Sequence, residues 1–363
     1  VKDLFLGGAK NQTAKLFLSE GSTYKEISSP FEIDASSEDT DALFFVADND
    51  GDMDLYVCHG GKAFSQYSTA LNESFYYNEN GEFKKSKDAL AFSEIISSSV
   101  VTASDYDKDG DLDLFVGERF KTATYGLPGS GYILNNNGKG EFTVINENIL
   151  EDIGMITDAS WIDIDTDGWE DLIILGEWMP IKIYLNRNNE FIDATESFNL
   201  ANTSGLWTAL HVADIDNDGD SDIIAGNIGL NNFFKPNMRM YIHDFDGNGF
   251  KEQIICQKKD SKYYPIVTKD ELISQIPSLK KNLLYYKDYA QADIHSIFAK
   301  DKLKTSKVLE LNVLESIVLW NNKGNLVPEI LPNEMQYAPI YAITSTDINK
   351  DGHLDLFFGG NQY

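Results

Sequence analysis

The chain has 363 residues, a formal net charge of −28, 42% hydrophobic and 12% aromatic residues. That apolar content excludes a disordered chain, and the acidic balance excludes nucleic acid and anionic membrane surfaces as partners, because both would be repelled. No run of about 20 apolar residues is present, so the chain is not membrane-spanning.

The first segment, Asp3-Leu-Phe-Leu-Gly7-Gly8, matches Asp355-Leu-Phe-Phe-Gly359-Gly360 near the other end. Both read as strands that follow an acidic loop, and the first lacks its loop. The expectation is a piece of a longer protein, 1–363, that starts and stops inside repeats.

Six acidic loops then follow in order. Loop one is Asp48-Asn-Asp50-Gly51-Asp-Met-Asp54, and loop two is Asp105-Tyr-Asp107-Lys-Asp109-Gly110-Asp-Leu-Asp113. Loop three holds Asp163, Asp165, Asp167 and Asp171, and loop four holds Asp214, Asp216, Asp218 and Asp222. Loop five holds Asp244, Asp246, Asn248 and Glu252, and loop six Asp347, Asn349, Asp351 and Asp355. Oxygens at positions 1, 3, 5 and 9 around a glycine at position 6 would repel one another without a cation between them. Hard cations such as calcium take six to eight oxygens from loops of this kind. An EF-hand would continue as a helix with its glutamate at position 12, whereas here an apolar strand follows position 9. We therefore expect about five or six Ca2+ ions. Val46 stands at position 1 of loop one, which predicts the weakest site there; loops two, three and four carry the fullest ligand sets.

Between the loops lie turns rich in Asn and Gly. These are Leu16–Tyr24, Phe75–Phe83, Tyr132–Phe142, Ile183–Phe191 and Ile317–Leu326, each read as a β-hairpin. One unit is then strand, loop, strand, hairpin. The loop glycines are 59, 58, 51, 30 and 103 residues apart. Four-stranded units at about 40–60 residues predict an all-β fold, a β-propeller of seven blades, with six also open. The long last interval carries the only helical signal: a capping box at Thr268–Glu271, a helix stopped by Pro277, a second over 278–290 and a further turn or two over 294–303. We read 260–312 as a helical insertion in a single domain.

With these residues in view, the chain resembles the FG-GAP/VCBS repeat proteins, whose blades carry D-x-D-x-D-G-x-x-D before an apolar strand and glycine. It is similar in motif to integrin α-subunit propellers, and closest to bacterial, Bacteroidetes-like members of the cartilage-acidic-protein/UnbV type. The resemblance implies a calcium-stabilised propeller, extracellular or on the cell surface, used for adhesion or assembly rather than catalysis.

No catalytic residue is picked out. The histidines at 59, 211, 243, 295 and 353 show no metal-ligand spacing, and no nucleophile elbow, phosphate loop or C-x-x-C pair occurs. Cys58 and Cys256 read as free, buried thiols. The function expected is a binding or scaffold module for a protein or glycan. Two alternatives stand beside it: a propeller lyase or hydrolase acting on polysaccharide, and a subunit of an outer-membrane uptake or secretion complex. Asn227, Asn231, Phe233, Phe234 and Pro236, with the helices of 268–304, are expected to face the partner.

Overall fold

A computed structural model describes residues 3–27, 30–90, 92, 94–122, 124–145 and 148–361. Antiparallel sheets dominate it, and the architecture is all-β and propeller-like. The strand after each of loops one to four reads as a continuous apolar run because both its faces are covered. Asp54–His59 and Asp113–Glu118 are buried at every position. Tyr56, Cys58 and Phe75 of one sheet pack against Val101, Leu114 and Leu134 of the next. Ile173, Leu175 and Ile183 do the same with Ile223, Ala225 and Leu319. Burying each such side chain is worth about 1.5–3 kcal/mol, so the gaps between sheets are the hydrophobic core.

The sheets follow one another in chain order: 4–27, 39–85, 98–145, 155–193, then Ala209–Ala213, Asp222–Gly226, Ile317–Asn322 and Asn325–Ile330 together, and finally 340–360. Their inner strands are joined hydroxyl to carbonyl. Thr40 Oγ1 donates to Ser98 O at 3.0 Å, Ser99 Oγ to Ile156 O at 2.7 Å and Thr157 Oγ1 to Trp207 O at 2.9 Å, while Thr208 Oγ1 donates to Ile340 O. Inner strands of several blades are shifted in register close to these residues, and the bulge aims two aspartates across the same seam. Asp41 accepts from Val101 N and Asp158 from Leu210 N.

The fifth loop does not belong to this series. Asp222–Gly226 pairs with Ile317–Asn322, so everything from 227 to 316 is inserted between two neighbouring strands of one blade. The insertion is thus wider than 260–312, and it carries its own four-stranded sheet of Arg239–His243, Glu252–Lys259, Lys262–Pro265 and Lys307–Glu310. Among the described residues there are seven sheets, but one of them lies in this insertion. The hairpin Ile317–Leu326 accordingly completes the blade of loop four, across the insertion.

Thr268 and Glu271 form the expected capping box of a helix over Lys269–Gln275. The single helix expected over 278–290 is instead a 3-10 turn, Pro277–Lys281, and a short helix, Tyr286–Tyr289. The turn or two expected over 294–303 are two short helices, Ile294–Ile297, capped by Asp293, and Lys300–Thr305. The apolar residues do not hold one helical face: Leu279 and Leu283 are buried while Tyr286 is 60% exposed. They cover the inserted sheet at Tyr241, Phe245, Ile254 and Cys256. Cys58 and Cys256 are free and buried, as expected.

Candidate metal centres and the facing cleft

Each acidic loop is a turn with two left-handed residues. The glycine at position 6 has φ between 88° and 98°, for example 97° at Gly110 and 89° at Gly168. Position 4 is left-handed as well: Asn49 at 63°, Lys108 at 62°, Thr166 at 58°, Asn217 at 61° and Lys350 at 62°. Glycine adopts this region freely and asparagine tolerates it, whereas lysine and threonine do so at a cost. The backbone is therefore wound to aim alternate side chains inward.

The N–H of position 6 donates to the aspartate of position 1, at 3.3 Å for Gly110 to Asp105, 2.8 Å for Gly168 to Asp163 and 2.9 Å for Gly352 to Asp347. The N–H of position 7 donates to position 5, as from Asp111 to Asp109 at 3.0 Å. In loop one Val46 offers no such acceptor.

Position 9 ties the loop to its own blade. Asp171 accepts from Ile164 N at 3.1 Å and Asn186 N at 2.8 Å; Asp222 accepts from Ile215 N and Asn321 N; Asp54 accepts from Ala47 N and Asn78 N. Asp54, Asp113, Asp171 and Asp222 are all fully buried. Burial, reinforced by the neighbouring carboxylates, pushes Asp113 up to about 8 and Asp171 up to about 7. Glu252 is raised for the same reasons.

Four loops gather three carboxylates whose oxygens lie within 4.8 Å of one another. They are Asp105, Asp107 and Asp113; Asp163, Asp165 and Asp171; Asp214, Asp216 and Asp218; and Asp244, Asp246 and Glu252. Asp109, Asp167 and Asp222 stand outside these tight groups. Asp48, Asp50 and Asp54 of loop one form no such group among the described residues, nor do Asp347, Asp351 and Asp355 of loop six, where Asn349 takes the third position. Asn248 keeps its loop position and accepts from Phe250 N at 2.7 Å.

Within the loops, two buried carboxylate oxygens among the described residues have no hydrogen-bond partner, Asp113 Oδ2 and Asp165 Oδ1. A buried, unpaired carboxylate oxygen beside two further carboxylates is a costly arrangement that a cation relieves. The all-oxygen donor set fits a hard cation.

Loop three differs in one respect. Arg187, the residue after the hairpin asparagine, reaches into it, bonding Asp165, and Asp167 Oδ2 at 2.6 Å, and lying 3.9 Å from Asp171 Oδ1. Nothing in the loop's own spacing signals this, because the guanidinium arrives from 20 residues away.

The hairpin asparagines were legible as turn residues only, yet they connect blades. Asn136 Nδ2 donates to Ala47 O at 2.8 Å, Asn186 Nδ2 to Tyr106 O at 2.8 Å and Asn321 Nδ2 to Ile164 O at 3.1 Å. Each of these carbonyls is position 2 of the preceding blade's loop. In the insertion Lys302 Nζ takes that place, on Phe245 O at 2.7 Å. The recurrence of asparagine at the hairpin start was the available signal.

With this geometry in place, residues 47–116 and 163–225 match the FG-GAP-like repeat family. The chain carries FG-GAP-like repeats. The matched stretches contain loops one to four, the first from its position 2, and all or most of the strand that follows each. Over 99% of this chain and 90% of its own, the crystal structure of Saccharomyces cerevisiae Sqt1 aligns at 12% identity with a TM-score of 0.41. No curated protein sequence matches the chain. No helix among the described residues is long and apolar enough to cross a membrane.

Inner strands run toward the loops, so their starting ends and the ends of the following strands make the opposite face. A cleft of about 510 Å³ lies there, between blades 39–85, 98–145 and 155–193. Arg119 and Glu177 face each other in it at 2.6 Å, and Tyr125 OH donates to the second Glu177 oxygen at 2.8 Å.

One buried array has the order of a hydrolytic triad. Asp39 Oδ1 lies 3.0 Å from His59 Nδ1, off the line of a hydrogen bond, and His59 Nε2 lies 2.8 Å from Ser74 Oγ. Ser74 is fully buried and also donates to Asp34 at 3.0 Å. A nucleophile sealed from solvent and engaged by a second carboxylate cannot meet a substrate, so this is a core polar network.

The segment expected to face a partner is mixed. Asn227 is fully buried, donating to Val313 O and Glu315 O and accepting from Leu206 N, so it anchors the base of the insertion. Phe234 packs edge-on against Trp178, while Phe233 stacks on Phe234 and is 65% exposed. Asn231 and Pro236 are exposed.

Proposed function

We propose that this propeller is a non-enzymatic binding module whose loops hold calcium and which works outside the cell. The observation that carries the reading is the buried, partnerless Asp113 Oδ2 in a cluster with Asp105 and Asp107. When bound, the ion supplies charge neutralisation to a loop that joins the inner strand to the next. The chain's own groups do the rest: position 9 holds backbone N–H of its own blade, that of Asn136 in the case of Asp113, and the hairpin asparagine holds the loop before it. Calcium free at about a hundred times its dissociation constant stabilises by about 2.7 kcal/mol per site. Millimolar calcium outside cells meets that condition for micromolar sites, and cytosolic calcium does not.

Thermal melts in calcium and in chelator test the reading. A fall in Tm of more than ten degrees on chelation is expected; a melt that does not move would refute it.

A further inference from the structure

We infer that the cleft opposite the metal loops binds an uncharged oligosaccharide, an assignment that rests on the binding-module reading. Three polar atoms of its walls are buried and lack any hydrogen-bond partner: Ser97 Oγ, Thr122 Oγ1 and Arg119 Nε. Ser97 is only 2% exposed. Native proteins rarely leave buried donors and hydroxyls unpaired, and three converging on one cleft mark where ligand groups supply the missing bonds.

The pairing of the wall fixes what it offers. Glu177 receives Arg119 on one oxygen and Tyr125 on the other, so the guanidinium is held with its charge already matched and Nε left over. Of the charged residues lining the cleft, Glu38 and Glu177 balance Lys62 and Arg119. A balanced lining inside a molecule of net charge −28 gives no attraction to an anion. Two hydroxyls and one N–H suit a ligand that is itself both donor and acceptor, which is the chemistry of sugar hydroxyls.

The apolar part is also present. Tyr125, 38% exposed, meets Phe120 edge-on at 6.4 Å, giving a ring for the C–H face of a sugar. A second cleft of about 430 Å³ shares Ser97 and Thr122 and runs on past Tyr67, which is 78% exposed. The two unpaired hydroxyls therefore sit where the clefts meet, and the site is long enough for a chain rather than one ring. Each volume falls in the range of about 300–1,000 Å³ usual for ligand sites.

Ser97→Ala and Thr122→Val are suited to the test because neither removes a hydrogen bond within the protein. Calorimetry of the whole chain in calcium would use neutral gluco-, manno- and galacto-oligosaccharides, with oligogalacturonate as the acidic probe. The expected result is binding of a neutral oligomer, weakened about tenfold by each substitution with Tm unchanged. Binding of oligogalacturonate alone, no binding of any neutral oligomer, or full affinity in both variants would overturn the assignment and leave the module reading standing. Cleavage of the bound oligomer, lost in the two variants, would support the site and overturn the non-enzymatic reading.

Discussion

Loops two and three have the same aspartates at positions 1, 3, 5 and 9, and the structure treats them differently. Loop two keeps Asp113 Oδ2 buried and unpaired, and its nearest side-chain donor is a neutral amide, Asn135 Nδ2, 3.1 Å from Asp107. Loop three receives the Arg187 guanidinium on Asp165 and Asp167. Both loops bury an unpaired carboxylate oxygen, Asp113 Oδ2 and Asp165 Oδ1, but only loop three also receives a tethered cation of its own. Identical ligand letters thus do not make equivalent sites; the residue after the hairpin asparagine, Asn137 in one blade and Arg187 in the other, sets the local charge.

The largest expected effect comes from removing position 9 of loop two. Asp113→Ala strands the Asn136 N–H and destroys the cluster, and a loss of about 3 kcal/mol is expected in calcium by denaturant melts. Most of that loss should vanish in chelator, where the parent is already weakened.

Next comes the pH response, measured in saturating calcium so that the loop carboxylates stay ionised. Burial pushes Asp41 up to about 6 and Asp158 up to about 7. Both exceed the unfolded value near 3.9, so the folded state binds more protons between about pH 4 and pH 7 and stability falls as pH rises through that window. Asp158→Asn should flatten the slope, removing on the order of 2 kcal/mol of pH dependence. A slope unchanged by the substitution would mean that Asp158 is not part of its origin; the remainder is expected from Asp41.

A smaller effect tests the contrast between the loops directly. Arg187→Gln should lower stability by about 1 kcal/mol in chelator, less in high salt, because its partners are partly exposed. In calcium the loss should be recovered, with one more ion counted by equilibrium dialysis if loop three is otherwise taken by the guanidinium. Equal ion counts in parent and variant would erase the distinction drawn between loops two and three. Smallest is Lys108→Ala, which removes a stack at 4.1 Å on Trp169 that links the two loops; about 0.5 kcal/mol is expected.

The acidic loops, their strands and the five hairpins were legible because their signals are local: carboxylate spacing, a glycine, an apolar run. The insertion was misjudged for the same reason. Asp244–Glu252 has the local pattern of a blade loop and joins its two strands as one does, and nothing in it says that Asp222–Gly226 waits for Ile317–Asn322. Pairing across 90 residues is a property of packing rather than of any window. Position 4 escaped notice because Lys108 and Thr166 are poor left-handed residues whose conformation the loop imposes. Arg119 and Glu177, 58 residues apart, meet only because two blades are neighbours.

The hairpin asparagines have one more consequence. Asn186 takes its own N–H to Asp171 of its blade's loop and its amide to Tyr106 of the loop before, and Asn136 and Asn321 repeat the arrangement. Loops one to four are therefore each coupled to the next by an asparagine side chain, as links in a series rather than separate clamps. In such a nearest-neighbour array, order gained at one link lowers the cost of ordering the next. Stability should then rise with cation concentration along a sigmoidal curve, steeper than independent sites allow, and a single Asn186→Ala should split the transition at the 98–145 and 155–193 boundary.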